Sequence, residues 1–194
     1  VVQHQRSGHG TRRAVSIVHR LIVQIPNAWV ALGGNLGDVR AAFGRAAALL
    51  VAQGEAIISR SSLYLTPPLG PPQPDYVNAV ISLSTTRDAR GLLSVLVDIE
   101  DQLGRQRTEH WGPRTLDLDL LFFGPRAETV WREGSLVLPH PEIERRAFVL
   151  APLAEIAPDL RHPLLGRTVR ELLSSLPDGD QKLVRRLDIG WVDG

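Results

Sequence analysis

Apolar positions between residues 28 and 123 alternate between short strand-like runs and longer runs of helical period. Trp29-Val30-Ala31-Leu32 predicts a short buried strand, and the turn Gly33-Gly34-Asn35-Leu36-Gly37-Asp38 leads out of it. A helix to about Ala52 follows, with Val39, Phe43, Ala46, Leu49 and Leu50 on one face and Gly54 as its stop signal. Ile57 to Tyr64 predicts a second strand. A third runs from Val77 to Thr85, with Val77, Ala79, Ile81 and Leu83 in alternation. Asp88 opens a helix to about Leu103 whose apolar stripe is Leu92, Leu93, Leu96, Ile99 and Leu103. The order is strand, helix, strand, strand, helix, strand. The last of these strands carries Leu116, Leu118 and Leu120 and, after Leu121-Phe122-Phe123, ends at Gly124-Pro125. Beyond it the pattern predicts a short edge strand at Val130-Trp131, a helical turn from Glu142 to Arg146, one further helix around Leu172, Leu173 and Leu176, and a last strand between Leu183 and Ile189.

Chemistry concentrates in the sixth element, Trp111-Gly-Pro-Arg-Thr-Leu-Asp-Leu-Asp-Leu-Leu121. Leu116, Leu118 and Leu120 share one face of the strand, and Thr115, Asp117 and Asp119 the other. At ~3.3 Å rise per residue the two aspartates lie ~6–7 Å apart at Cα. Like charges that close oppose each other's ionisation unless a cation lies between them. One or two divalent ions meet that need, and Arg114 and Trp111 just upstream suit a metal–nucleotide site. The same pattern also describes the wet face of an antiparallel strand, and D-x-D by itself does not separate the two.

Three loops carry further polar groups. Residues 66–78 hold five prolines in thirteen positions, which excludes helix and interior strand. The loop ends on Tyr76, which can stack on a flat ring, and Asn78, which can bond a heterocycle's edge. The connector Gly104-Arg105-Gln106-Arg107-Thr108-Glu109-His110 is rich in guanidinium, and His140 stands between two prolines. Glu100 falls near a helix C-terminus, where the dipole disfavours an anion. It faces solvent there, or a ligand or arginine compensates it. The glycine turn at 33–38 lacks both the Lys-Ser/Thr of a P-loop and the third glycine of a dinucleotide fingerprint.

Composition narrows the chemistry. The 194 residues contain no cysteine, so thiolate metal sites, disulfides and a cysteine nucleophile are excluded. Lys182 is the only lysine, which disfavours Schiff-base chemistry; the remaining basic residues are arginines, suited to bidentate phosphate contacts. Net charge is +1, but Arg6, Arg12, Arg13 and Arg20 give residues 1–26 a charge of +4 with no acid. The remainder is 18 basic against 21 acidic, so its charge does not point to nucleic acid. Residues 1–26 are read as a poorly ordered basic extension, resembling an organelle transit peptide in their arginine content, with one domain over 27–194. No uninterrupted apolar run reaches ~18 residues, so no membrane-spanning helix is expected.

Taken in order, Ala31-Leu-Gly-Gly-Asn-Leu-Gly-Asp38, Leu65-Thr-Pro-Pro-Leu-Gly70, Asp75-Tyr-Val-Asn-Ala79, Glu100…Gly104-Arg-Gln-Arg107, Trp111-Gly-Pro-Arg-Thr-Leu-Asp-Leu-Asp119 and Leu138-Pro-His-Pro…Arg146-Ala-Phe-Val-Leu150 form one series. Over about residues 29–160 the chain closely resembles the 6-hydroxymethyl-7,8-dihydropterin pyrophosphokinases of folate biosynthesis. The resemblance implies an α+β, ferredoxin-like antiparallel sheet with helices packed on it. It implies pyrophosphoryl transfer from MgATP to the pterin's hydroxymethyl group, with release of AMP. By position it makes Asp117 and Asp119 the ligands of two Mg²⁺ ions and, with Arg105 and Arg114, the catalytic residues. Thr66, Pro67, Leu69, Tyr76, Asn78 and Phe148 would bind the pterin. Glu100, Arg105, Arg107, Trp111, Arg114, His140 and Arg146 would contact ATP. Thr108, His110, Ser135 and Pro141 depart from the family pattern on the nucleotide side, where the arginine connector is also one residue shorter. The resemblance implies a cytoplasmic enzyme, expected to be monomeric, whose partners are these small molecules, with no nucleic acid and no membrane.

Overall fold

The first strand, β1 (Ala28–Gly34), is buried on both faces, and the architecture follows from that. Val30 and Leu32 face one way and Trp29 and Ala31 the other, so each side of the sheet must be covered. In this computed structural model, which describes residues 27–68, 71–104, 112–134 and 136–192, both sides are. α1 (Val39–Ala52), β2 (Ala56–Arg60), β3 (Tyr64–Thr66), β4 (Tyr76–Ser84), α2 (Ala89–Gln102) and β5 (Asp117–Phe123) follow. β5 and β4 flank β1, and β2 and β3 pair in turn along the far side of β4, all antiparallel. This is the ferredoxin-like arrangement expected from the sequence.

α1 and α2 cover one face. Phe43 and Leu50 from α1 and Leu92, Leu96 and Ile99 from α2 pack on Val30, Leu32, Ile81, Leu83, Leu118 and Leu120. Both helices are capped, the second at the residue the sequence predicts: the Asp38 and Asp88 carboxylates accept the Ala41 and Gly91 N–H groups. The other face is covered by α3 (Ala147–Ile156) and α4 (Val169–Ser174), whose Val149, Leu150, Leu153, Val169 and Leu172 meet Trp29, Val80, Leu121 and Phe122. Leu121 and Phe122 both reach this face because a bulge opposite Trp29 and Val30 inserts one extra residue into β5.

Two expectations need correction. The second strand is broken in two at Ser61: its N–H still donates to Val80 O, but its Oγ, in place of its carbonyl, accepts from Val80 N–H, and buried Leu63 plugs the core. Glu155 at the end of α3 holds the break, accepting from Ser62 N–H and Oγ–H and from the Tyr64 hydroxyl. Residues 147–156, to which the sequence pattern assigns no element, form a helix despite Pro152. α3 is buried enough to need no polar stripe, and its packing offsets the bond that Pro152 cannot make. The expected edge strand at Val130-Trp131 is β6 (Trp131–Glu133), a hairpin with β7 (Leu136–Leu138) separate from the main sheet. Arg90 of α2 holds it, stacking over Trp131 and pairing with Glu133.

The last segment returns to the sheet. After α5 (Asp178–Lys182), β8 (Arg185–Arg186) pairs with β3; this is all that forms of the strand expected over 183–189. Trp191 then packs on Phe43 at 5.7 Å between ring centroids and donates to Ser61 O at 2.7 Å. Residues 1–26 lie outside the described residues.

Candidate active site

Cross-strand pairing builds the site. Asp117 of β5 lies opposite Gly33 of β1, and Gly33 lies opposite Asn78 of β4. Directly opposed residues share a face, so this row reads carboxylate, no side chain, amide. The next row places Asp119 opposite Ala31. β1 therefore supplies a low floor between polar walls, on the face that α3 covers only in part. The resulting cleft, of about 360 Å³, is lined by Gly33, Thr66, Pro67, Tyr76, Asn78, Arg114, Asp117, Asp119, His140, Arg146 and Phe148, among others. Ten side chains expected at the site from the sequence meet there, drawn from positions as far apart as Thr66 and Phe148.

The floor's polar groups are preset. Asn78, 5% exposed, donates from Nδ2 to Thr66 Oγ1 at 2.9 Å. Tyr76 donates its hydroxyl to Gly112 O at 3.1 Å, and burial raises its pKa. Phe148 opens α3, with the Arg146 guanidinium 5.8 Å from its ring centroid.

At the other end Arg114 Nη1 donates to Asp117 Oδ2 at 2.7 Å. His140 is held by its N–H to Leu121 O, and its Nε2 stands 4.0 Å from Asp119 Oδ2. Burial lowers the His140 pKa, and the Asp119 carboxylate partly opposes that shift. The Glu142 N–H donates to Nδ1 at 3.3 Å, which leaves Nε2 as the protonated nitrogen of the neutral ring. Among the described residues no three carboxylate or histidine side chains converge as a metal cage. Two aspartates at the mouth of a cleft still fit Mg²⁺, which is commonly held by one or two carboxylates with waters and substrate phosphates.

Glu100 is placed elsewhere. It is 1% exposed, outside the cleft, and its carboxylate accepts the Leu118 N–H at 2.6 Å. The Leu118 amide thus lies against the anion at the helix end. Leu69, Arg105, Arg107 and Trp111 lie outside the described residues.

Asn35 and Gly34, which the sequence pattern marks only as part of a turn, also shape the site. Asn35, 7% exposed, joins three loops: Oδ1 accepts from Arg114 N–H at 2.9 Å, and Nδ2 donates to Gln73 Oε1 and Pro74 O, each at 3.0 Å. Its own N–H donates to Arg114 O at 2.9 Å. Gln73 Oε1 also accepts the Tyr76 hydroxyl at 3.4 Å. The visible signal was an amide amid glycines at a strand-to-helix turn. Gly34 is needed for the same junction, since a Cβ there would sit 2.6 Å from Thr115 O.

A family model described as 7,8-dihydro-6-hydroxymethylpterin-pyrophosphokinase matches residues 29–158. The chain belongs to the 7,8-dihydro-6-hydroxymethylpterin-pyrophosphokinase family. It is 44% identical over 154 residues to the 2-amino-4-hydroxy-6-hydroxymethyldihydropteridine pyrophosphokinase of Synechocystis, covering 79% of this chain and 77% of that one. It is 43% identical over 159 residues to the Methylorubrum extorquens protein of the same name, covering 80% and 98%. Among solved structures, the wild-type HPPK-DHPS of Plasmodium falciparum aligns with a TM-score of 0.60 at 15% identity, over 77% of this chain. The match spans 44% of the Plasmodium chain, and at that identity it speaks for the fold alone. The matched residues 29–158 hold every cleft side chain named above, so the pyrophosphokinase family and the cleft coincide. No helix among the described residues is long and apolar enough to cross a membrane.

Proposed function

We propose that this pyrophosphokinase-family chain transfers the pyrophosphoryl group of MgATP to the hydroxymethyl oxygen of 6-hydroxymethyl-7,8-dihydropterin, releasing AMP. The observation that carries this is the single cleft in which an aromatic–amide floor meets an aspartate–arginine wall. Phe148 and Tyr76 hold the flat pterin ring. Asn78, oriented by Thr66, reads its polar edge together with the backbone of Thr66 and Leu69, and Pro67 lines that side. Asp117 and Asp119 hold two Mg²⁺ ions, which when bound draw charge from the phosphate oxygens. Arg114 and Arg146 line the path of the polyphosphate, with Arg105, Arg107 and Trp111 contributing from the connector. His140 offers its Nε2–H to the nucleotide side.

The residues act by positioning and electrostatics, and the substrate hydroxyl attacks directly, with no covalent intermediate on the protein. The chain acts as a cytoplasmic monomer on small molecules. The deciding assay is AMP release from ATP and Mg²⁺ with and without the pterin. Asp119→Ala should abolish it while the thermal unfolding midpoint stays within a few degrees of wild type. Wild-type turnover in that variant, or AMP release indifferent to the pterin, would overturn the reading. Phosphoenzyme trapped from labelled ATP would overturn direct attack.

A further inference from the structure

Asp117 and Asp119 share one strand face, where a cation relieves the repulsion between them, and the chain supplies one of its own. The Arg114 guanidinium sits on Asp117 at 2.7 Å, with the two side chains 26% and 19% exposed. The backbone there is pinned: Arg114 N–H donates to Asn35 Oδ1, and Arg114 O accepts from the N–H groups of Asn35 and Leu36 at 2.9 and 3.2 Å. Only the side chain is left to move, and it is a long flexible stem with a planar fork suited equally to carboxylate and phosphate. A divalent ion on Asp117 would face the guanidinium's charge across the same carboxylate, so the two cations compete there.

We propose that Arg114 holds the cation position at Asp117 while metal is absent and is displaced onto the nucleotide's phosphates when the metal arrives. Metal capture and phosphate clamping are then one exchange about a fixed backbone pivot. The metal alone binds against the arginine's competition, and a nucleotide that gives the arginine a new partner relieves it. This inference rests on the metal assignment proposed above.

The test is binding of Mn²⁺ alone to the full chain, followed by the EPR signal of free Mn²⁺, and then repeated with ATP present. Arg114→Gln removes the competing charge and should tighten Mn²⁺ alone about tenfold, while shrinking the gain that ATP brings. Arg114→Lys keeps a competing charge and should stay near the wild-type affinity for Mn²⁺ alone. If Arg114→Gln leaves Mn²⁺ binding unchanged or weakens it while Asp119→Asn abolishes it, the arginine merely orients Asp117 and the exchange is wrong. Equal tightening by Gln and Lys would also overturn it. If Asp119→Asn leaves Mn²⁺ binding intact, the metal assignment itself falls and the exchange with it.

Discussion

Removing the Glu100 carboxylate should weaken the protein by unfastening the strand that carries both aspartates. β5 pairs with β1 on one side only, so its outward N–H groups need partners elsewhere. Leu118, between Asp117 and Asp119, donates its N–H to Glu100 at 2.6 Å in a site 1% exposed. In Glu100→Ala that N–H is left buried and unpaired, at about 1–3 kcal/mol. The lost methylene and the space behind it add ~1 kcal/mol. The total of roughly 2–4 kcal/mol corresponds to a fall in Tm of roughly 5–15 °C for a domain of this size. Glu100→Gln keeps an acceptor oxygen and loses only the charge, so it should cost about 1 kcal/mol. Thermal unfolding by circular dichroism reads both values. Steady-state kinetics should show kcat falling in the alanine variant, as the aspartates lose their fixed pitch, with smaller changes for glutamine. If Glu100→Ala unfolds within ~0.5 kcal/mol of wild type while its KM for ATP rises, Glu100 serves the nucleotide and the strand-fastening argument is refuted.

Gly34→Ala would press its Cβ to 2.6 Å from Thr115 O and 3.1 Å from Val39 Cγ1, forcing backbone to move. It should cost ~1–3 kcal/mol and lower kcat further than that loss implies, because Arg114 is the adjoining residue; a wild-type kcat would show that this junction does not set the arginine. Trp191→Ala removes the contact with Phe43, the bond to Ser61 O and the cover of Arg60, 5.3 Å from the ring. For a partly buried tryptophan a loss of ~2–4 kcal/mol in denaturant unfolding is expected. Pterin affinity should fall with it, since β8 releases β3 and so Thr66. An unchanged denaturation midpoint would make the terminal segment a bystander. Burial lowers the pKa of both His140 and His162. The unfolded chain therefore takes up protons first as pH falls below the ordinary histidine value of about 6.5, and stability should decline from pH 6.5 downward. His162→Asn keeps an acceptor for the Leu164 and Leu165 N–H groups, which His162 Nδ1 now serves. It should flatten that decline; a Tm–pH slope equal to wild type's would rule out His162 as a contributor.

The sequence by itself determined the elements of short range. Alternation at Leu116, Leu118 and Leu120 assigned Asp117 and Asp119 to one face, and Asp88 marked the start of the second helix, because these signals depend only on neighbours in the chain. The motif series also identified most of the cleft's side chains. What it did not contain was the pairing. That Gly33 lies between Asp117 and Asn78 depends on β1 entering between β4 and β5, a matter of long-range burial that residue periodicity does not encode. The break at Ser61, the bulge at Leu121 and the helix through Pro152 are each a local preference overruled by packing on the sheet. Glu100 shows the same limit. Its charge and helix position were readable, but only the fold brings the Leu118 N–H to it and makes it a buried fastening for the strand.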